Sequence, residues 1–399
     1  CEKALTVWEA KVSLKEHLDT ISVIRFTGDT PNRDSATTDL WGYSNMPRSL
    51  GNSLGVSVPN EIYTTTGGNS PQLLLNEICN RIKDQKMDCA LLTGGEALDT
   101  FVSRLKDGLE VNWGDNPGGE PESLGSQRDL GSEFEKKHGI FEPSSVYPLF
   151  ANSIRGNEGK SANQHQEDIG NLFSRFSEIA SENEFSWFKI HRSVEEIVEA
   201  TPQNRMVSFP YTKYMNSIIR VNQSAALVIT SAKKAKEIGI PSSKWIFMHG
   251  AGCINDIWNI TERENLYSSP AIRKCAEAIF SKAGRTQSDV SFYDLYSSFP
   301  SAVQIAKKEI GIPDKDPRDL TVTGGLPYYG GPGSAYVVNS LASMVNKLRE
   351  NQGSYGLVNA NGLFLTKHGL GIFSSNPFLG EWNQVVDSSL LQKEIESLE

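Results

Sequence analysis

Apolar residues follow two spacings that alternate along the chain, one typical of strands and the other of helices. The apolar runs Thr20–Phe26 and Asp88–Thr93 predict buried strands, the second closing on a pair of glycines. Between them, apolar residues recur every three or four positions from Leu73 to Ile82. This spacing predicts a helix with Ser70 as its N-cap and Pro71 as its first residue. Such alternation is typical of α/β proteins.

The second half of the chain repeats this order of elements. After Gly333 and Ser334, apolar residues from Val337 to Leu348 predict a helix, and Gly356–Gly362 predicts a strand that again closes on glycine. Glycine loop, helix and strand thus recur at a similar spacing, which indicates an internal duplication. Helices are also predicted over Lys3–Leu18, Ala232–Ile238, Pro270–Ala283 and Ser301–Ile310, and strands from Val221 (buried), over Trp245–His249 and over Val290–Tyr296.

A polar, irregular stretch from about residue 96 to 215 separates the two repeats. It contains the Gly/Pro/Ser-rich run Asn116–Gly131 and two amphipathic segments, Glu167–Ile179 and Ser193–Ala200. That composition predicts an inserted loop domain. We therefore expect an N-terminal half over 1–238 that includes the insertion, a second half over 239–376, and a tail over 377–399.

Charge and cysteine content narrow the class of protein. The formal net charge is −9, from 39 basic and 48 acidic residues, which argues against a nucleic-acid partner. The five cysteines are scattered without a C-x-x-C pair, which predicts reduced thiols and a cytoplasmic location. No apolar run is long enough for a membrane span, and no histidine, cysteine or aspartate spacing predicts a metal site. Because the chain opens at Cys1 in a predicted helix, we expect a truncated or processed start.

The run Thr323–Ser334, T-G-G-L-P-Y-Y-G-G-P-G-S, is a glycine-rich loop that leads into a predicted helix. Such a loop can offer backbone N–H groups and the positive end of the helix dipole to an anion. Alternatively, it is a tight crossover between a strand and a buried helix.

Several ordered motifs resemble the thiolase superfamily, and most closely its thiolase-like branch, often labelled acetyl-CoA acetyltransferase. They are N-R-M-V-S-F-P-Y-T-K-Y-M-N (204–216), V-N-Q-S-A-A-L (221–227), T-E-R-E-N-L-Y-S-S-P-A (261–271), D-L-Y-S-S-F-P-S-A-V (294–303), the glycine loop, and N-A-N-G-L-F-L-T-K-H (359–368). The resemblance runs from about Thr20 to Ser375.

The resemblance implies a thiolase fold, with two β-α-β-α-β-α-β-β halves in a five-layered α-β-α-β-α body and an insertion that helps hold coenzyme A. By the same resemblance, we expect the family's opening strand to precede Cys1. Superfamily members commonly form dimers, and relatives of this branch pair with a small OB-like module. Coenzyme A or an acyl-CoA is the implied ligand, with no covalently bound cofactor.

The chain departs from the thiolase pattern at each catalytic element. The family's spacing places the nucleophilic cysteine at Asn69, where no thiol is available, and the neighbouring Ser70 is explained by its predicted cap position. Gly331 replaces the histidine of G-H-P. The acid/base C-x-G becomes Ala360-Asn361-Gly362, and the N-E-A-F element becomes Tyr293-Asp294-Leu295-Tyr296. Cysteine-dependent thiolase chemistry is therefore not expected.

Three polar residues could serve another reaction. His249 ends an apolar strand and could be an acid/base at the rim of the site or a structural histidine. His368 lies in the last hairpin near the lost C-x-G and could act as a base or a water-ordering group, or alternatively face solvent at the hairpin edge. Asp294 could orient one of these imidazoles or cap the helix entered through Pro300.

A coenzyme A site needs cations at its mouth and a narrow slot lined by backbone. Candidates for the mouth are Arg205, Lys213 and Arg220, and candidates for the slot are Asn69, Ser70, Gly324, Gly325, Gly330, Gly331, Gly333 and Asn361. We expect a thiolase-like acyl-CoA-binding protein of lipid metabolism without classical thiolase activity. The alternative is a non-catalytic scaffold or partner subunit for an acyl-CoA enzyme or an OB-fold module.

Overall fold

Two mixed β-sheets organise the chain, seen in a computed structural model that describes residues 6–7, 12–29, 42–126, 128–129 and 131–398. The first sheet has the strand order Glu122–Leu124, Asn60–Thr64, Thr20–Val23, Cys89–Ala97 and Asn222–Thr230. Its first three pairings are parallel and the last is antiparallel. The second sheet has the order Phe247–Asn255, Lys367–Ser374, Tyr355–Gly362 and Val290–Asp294.

The two sheets share one pairing pattern. In the first sheet, Thr20–Val23 lies parallel to Cys89–Ala97, which lies antiparallel to Asn222–Thr230. In the second, Val290–Asp294, Tyr355–Gly362 and Lys367–Ser374 are paired in the same parallel-then-antiparallel way. The repeat predicted from the glycine loops is therefore visible in the strand pairing.

Twelve α-helices lie in the part of the chain that the structure describes: Met46–Leu54, Ser70–Lys83, Leu98–Lys106, Glu133–Lys137, Pro143–Asn157, Ala162–Glu182, Val194–Val198, Ala232–Glu237, Pro270–Ala283, Pro300–Ile310, Tyr336–Glu350 and Ser389–Glu396. Proline in the first turn opens several of them, since its fixed φ suits that position and its missing N–H costs nothing there. None of these helices is long and apolar enough to cross a membrane. Short two-stranded ribbons pair Thr6–Val7 with Val12–Ser13 and Met206–Ser208 with Tyr211–Thr212.

The inserted region packs into the core of the second half. Phe150, Phe173 and Phe176 of its helices share one buried cluster with Ala302 and Ile305 of the helix Pro300–Ile310. Burial of large aromatic side chains is the main source of such packing energy. The insertion therefore lies against the body of the protein, while the domain boundaries themselves stay a prediction.

Several sequence-based expectations need correction. The helix predicted over Lys3–Leu18 falls partly outside the described residues, and the described part forms the ribbon at Thr6–Val7 and Val12–Ser13 and a 3₁₀ turn at Lys15–His17. Asn222–Thr230, predicted as buried, is mostly half-buried because it is an edge strand. The strand Glu122–Leu124 was not predicted from its Gly/Pro/Ser-rich surroundings.

Candidate functional site

The turn Gly67–Gly68, which precedes the helix Ser70–Lys83, is where the predicted motif segments meet. A Cβ at Gly68 would overlap both the carbonyl oxygen of Asn361 and the hydroxyl of Tyr296. The N–H of Gly67 donates a hydrogen bond of 2.9 Å to Oγ of Ser334, at the end of the glycine-rich loop. Only bare backbone fits between these groups, which explains the glycine pair.

Asn69 and Ser70 stand at the start of this helix, as predicted, but in different roles. The helix begins at Ser70 and the cap position falls on Asn69, whose side chain makes no capping hydrogen bond. Ser70 Oγ instead donates to the carbonyl oxygen of Thr65 at 2.9 Å, so the prediction of Ser70 as N-cap was wrong by one position. Asn69 Oδ1 is buried without a hydrogen-bond partner, and it lies 2.6 Å from where a Cβ of Gly362 would stand.

The side chain of Lys367 extends from the second sheet to the same turn. Lys367 was not among the predicted site residues. Its ammonium nitrogen donates to the carbonyl oxygen of Thr66 at 3.4 Å and lies 3.0 Å from the Cβ position of Gly67. The residue is 6% exposed, and burial lowers the pKa of its amine. The signal in the sequence was a single lysine in the last hairpin, next to His368.

The glycine-rich loop uses its backbone N–H groups within the protein. Gly324 donates to Thr321 Oγ1 at 2.9 Å, Gly325 donates to Thr323 Oγ1 at 3.1 Å, and Gly331 donates to the carbonyl oxygen of Ile218 at 2.8 Å. The N–H of Gly333 donates to the Gly331 carbonyl oxygen at 2.7 Å. These four N–H groups are engaged within the protein, which favours the tight crossover over the anion-accepting loop, the two alternatives that the sequence left open.

The glycines of the loop also meet close neighbours. Gly324, Gly325, Gly330 and Gly333 have positive φ, and a Cβ at any of them would overlap neighbouring groups, among them Ala180 of the insertion at Gly324 and Gln223 at Gly330. At Gly331, where thiolases have histidine, a Cβ would overlap Ser217 Oγ and lie 3.1 Å from the Ile218 carbonyl oxygen. A side chain at this position would therefore require Ser217 to move.

Asp294 accepts hydrogen bonds from the segment that leads into the glycine-rich loop. Its buried carboxylate accepts hydrogen bonds from Thr321 Oγ1 at 2.7 Å and from both the N–H and the hydroxyl of Thr323, at 3.1 and 3.0 Å. Further donors are the N–H of Val322 and the hydroxyls of Tyr336 and Ser340. The hydrogen bonds that the structure gives this carboxylate include none from an imidazole or from the helix at Pro300, so both roles predicted for Asp294 were wrong.

The two candidate histidines lie apart. His368 is opposite Asn361 in the last hairpin and fully buried; its Nε2 lies 3.1 Å from the carbonyl oxygen of Leu365. Burial and the nearby Arg263 guanidinium lower the pKa of His368 to about 3, so the ring is neutral. The alternative that it faces solvent is therefore wrong. His249 is buried with Nε2 2.9 Å from the Asn376 carbonyl oxygen, about 15 Å along the sheet from His368.

A cleft of about 460 Å³ brings two of the predicted cations together. Arg205 and Lys213 are exposed on its wall, and the Lys213 N–H donates to the Arg205 carbonyl oxygen at 2.9 Å. Ser217 and Ile218 line the same cleft and contact Gly331 from the other side. Arg220 does not line it, and its guanidinium pairs with Asp99 at 2.8 Å.

Four free cysteines lie in the described part of the chain. Cys79, Cys89, Cys253 and Cys275 are free, and burial raises the pKa of each thiol, to about 12 for the first three, so they stay protonated.

The spacing of residues along the sequence did not predict one group of possible metal ligands. Single ligand atoms of Glu158, His165 and Asp168 lie within 4.8 Å of one another. Lys160 Nζ pairs with both carboxylates, at 2.9 and 2.7 Å, and already supplies a positive charge there.

Solved structures show which fold this geometry belongs to. The SCP2-thiolase-like protein type 1 of Mycobacterium smegmatis, described as monomeric, is 29% identical over 98% of this chain and 74% of its own, with a TM-score of 0.80. The Ltp2–ChsH2(DUF35) aldolase is 15% identical over 89% of this chain and 87% of its own, with a TM-score of 0.65. The dimeric peroxisomal thiolase of Saccharomyces cerevisiae is 14% identical over 90% of this chain and 85% of its own, with a TM-score of 0.60. No family model and no curated protein sequence matches the chain.

The fold is thus that of the thiolases, and the resemblance and the mixed α/β architecture expected from the sequence are confirmed. Among these three structures, the chain is most similar to the SCP2-thiolase-like protein. The five-layered stacking of the predicted architecture stays a prediction.

Proposed function

We propose that the protein binds coenzyme A or an acyl-CoA in the cleft beside Gly331 and does not run the cysteine-dependent thiolase reaction. The cleft carries the proposal, because two cations line it together with Ser217 and Ile218, which contact Gly331 of the glycine-rich loop. Its volume lies within the roughly 300–1,000 Å³ of small-molecule sites. Guanidinium and ammonium groups are the usual partners of phosphate oxygens.

The residues that stand at the family's catalytic positions support binding without the ordinary thiolase reaction. By the family resemblance, Asn69 and Gly331 replace the nucleophile and the histidine, and burial raises the pKa of every described thiol. His249 and His368, proposed from the sequence as acid/base groups, are buried and hydrogen-bonded to backbone. A protein with reduced thiols and this ligand suits the cytoplasm and lipid metabolism, with acyl transfer as the family's reaction.

Acyl-CoA binding by variants of the two cations tests the proposal. We expect the double variant R205A/K213A to bind acetyl-CoA about tenfold more weakly in calorimetry, with a smaller dependence on salt. The matched control is Lys233→Ala, which removes an exposed lysine outside the cleft and should leave the affinity unchanged. Equal affinity of the double variant and the parent protein would place the ligand elsewhere, and no binding by the parent would reject the function.

The second candidate is a partner subunit without activity of its own. The similarity to Ltp2 in its complex with ChsH2(DUF35) favours this alternative, and the dimeric yeast thiolase favours a homodimer. Light scattering of the purified chain, alone and mixed with a DUF35 protein, distinguishes these assemblies. A complex with the DUF35 protein together with no coenzyme A binding would favour the partner role.

A further inference from the structure

The short turn between two helices of the insertion brings three possible metal ligands together. Glu158 follows the helix Pro143–Asn157 as its C-cap, and His165 and Asp168 lie near the start of the helix Ala162–Glu182. Because His165 and Asp168 are three positions apart, their side chains share one face of that helix. One ligand atom of each of the three residues lies within 4.8 Å of the others. The turn therefore gathers one imidazole and two carboxylates.

The imidazole of His165 lacks the partners that a buried polar group normally has. The residue is 1% exposed, and neither ring nitrogen has a hydrogen-bond partner in the described part of the chain. Buried polar groups are nearly always paired, because leaving one without a partner costs free energy. One of these nitrogens lies close to both carboxylates, so an ion bound between them would give it a partner.

Hydrogen bonds hold the turn on which these ligands lie. The Lys160 N–H donates to the Arg155 carbonyl oxygen at 3.1 Å, and the Arg155 guanidinium donates to the Lys160 carbonyl oxygen at 3.3 Å. Ser161 caps the second helix, and its carbonyl oxygen accepts the N–H of His165 at 3.1 Å. The backbone that carries the ligands is thus ordered before any ion binds, which reduces the entropic cost of binding.

Lys160 occupies the space between the two carboxylates. Its ammonium nitrogen lies 2.9 Å from a Glu158 oxygen and 2.7 Å from an Asp168 oxygen. That ammonium compensates the acidic charge, but it makes no hydrogen bond with His165. The side chains of Lys160, Glu158 and Asp168 are 37%, 40% and 45% exposed. The ammonium can therefore turn into solvent, and an ion can enter from the same side.

The distances suit a first-row divalent ion after a small closure. Zinc binds imidazole nitrogen and carboxylate oxygen at about 2.0–2.2 Å, so two ligand atoms of one tetrahedral ion lie about 3.4 Å apart. The widest pair here, at 4.8 Å or less, must approach by at most about 1.4 Å, which rotation of the exposed Glu158 side chain can supply. An imidazole among the ligands favours zinc and its neighbours over calcium and magnesium, which prefer oxygen.

We propose that Glu158, His165 and Asp168 bind Zn²⁺ or a similar first-row divalent ion. Lys160 turns away to admit it, and water takes the fourth position of a tetrahedral zinc. The site shares no residue with the cleft beside Gly331 and does not depend on acyl-CoA binding. Because it joins the end of one helix of the insertion to the start of the next, bound metal should stabilise the insertion against unfolding.

Zinc titration of the untagged protein tests the site. After treatment with a chelator, the parent protein should bind one Zn²⁺ in calorimetry. We expect Asp168→Asn, at an exposed position, to weaken this binding by about tenfold or more, because an amide is a poorer ligand than a carboxylate. The matched control is Glu167→Gln, which removes the same charge one position away from the ligands and should bind as the parent does.

Two further measurements examine the lysine and the imidazole. Lys160→Met removes the competing ammonium, so this variant should bind Zn²⁺ about tenfold more tightly. The chain has six histidines, which allows each imidazole to be followed by NMR in histidine-labelled protein. Paramagnetic Co²⁺ should shift the ring resonances of His165, which are identified by their absence from His165→Asn.

Each contrary result overturns a stated part of the proposal. No saturable Zn²⁺ binding by the parent overturns the site, even if Lys160→Met binds the ion. Equal affinity of Asp168→Asn and the parent also overturns it, as does a loss in Glu167→Gln as large as in Asp168→Asn, since surface charge then explains the binding. Unchanged His165 resonances with Co²⁺ overturn the imidazole ligand, and unchanged affinity in Lys160→Met overturns the displacement of the lysine.

Discussion

At the residue scale, several buried polar atoms near the candidate site lack hydrogen-bond partners, as do others elsewhere in the described part of the chain. Asn69 Oδ1, Asn359 Nδ2, Asn361 Oδ1 and His368 Nδ1 are all buried without a hydrogen bond. An unpaired buried polar group costs about 1–3 kcal/mol, so a folded protein seldom keeps several close together. Asn69 and Asn361 adjoin the Gly67–Gly68 turn, and this is the place where a ligand could supply the missing partners.

Titration of His368 makes stability depend on pH. Its folded-state pKa of about 3 lies below its ordinary value of 6.5, so the unfolded chain binds more protons between these values. Stability should therefore fall as pH drops from 6.5 toward 3, by as much as about 5 kcal/mol from this group. Urea unfolding at pH 7.5, 6, 5 and 4 measures the loss.

The matched comparison is His368→Gln, which cannot titrate in this range. Because other groups also titrate, the relevant quantity is the difference between the two proteins, which should shrink as pH falls. Parallel stability curves for the parent and the variant would show that His368 is not buried in its neutral form.

Sequence reasoning located some of these residues and missed others for a physical reason. Asn69, Gly331 and Asn361 could be found because a motif fixes their order along the chain. Lys367 could not, because its importance depends on which turn its side chain reaches, and that turn lies about 300 positions earlier. Arg220 was assigned to the mouth by its charge alone, and only the fold shows its pairing with Asp99.

At the element scale, Asp294 connects the end of a strand to the loop and helix that follow. The strand Val290–Asp294 ends at this residue. Its carboxylate accepts hydrogen bonds from the segment Thr321–Thr323. It also accepts them from Tyr336 and Ser340 of the helix Tyr336–Glu350. One acceptor therefore fixes how the glycine-rich loop enters its helix.

Asp294→Asn tests this connection. The amide brings two donors to a place already filled with donors, so we expect a loss of about 3 kcal/mol in the free energy of unfolding. Chemical denaturation provides the measurement, and Asp314→Asn, at an exposed position, is the control. A loss no larger than the control's would mean that Asp294 does not hold the loop.

Elements with strong periodicity were predicted well, and those that depend on distant pairing were not. The helices over Ser70–Lys83, Pro270–Ala283 and Pro300–Ile310 follow from spacing and proline alone. Glu122–Leu124 becomes a strand only because Asn60–Thr64 offers it an edge. Such tertiary context has no local sequence signal.

At the scale of the whole molecule, the two sheets meet at the candidate site. The hydrogen bond from the Gly67 N–H to Ser334 Oγ joins positions 267 residues apart and connects the first half to the second. The bond is buried, so its amide should exchange with solvent only when the halves separate.

Hydrogen exchange tests whether this bond holds the halves together. Ser334→Ala removes the acceptor, and we expect the Gly67 amide to exchange about tenfold faster, while amides within the strand Cys89–Ala97 keep their rate. Ser389→Ala, on the exposed face of the last helix, is the control. Unchanged exchange at Gly67 would indicate that other contacts hold this interface closed.

The same bond has a consequence during synthesis of the chain. Gly67 is translated 267 residues before Ser334, which at about 5–20 residues per second leaves the turn without its partner for roughly 13–53 s. The last strand of the first sheet ends at Thr230, 106 residues before the helix Tyr336–Glu350 begins, so the completed sheet lacks that helix for about 5–21 s. Val337 and Val338 of the helix pack into the same buried cluster as Ile24 and Leu92. The nascent first half should therefore expose this apolar surface to chaperones until the helix is made.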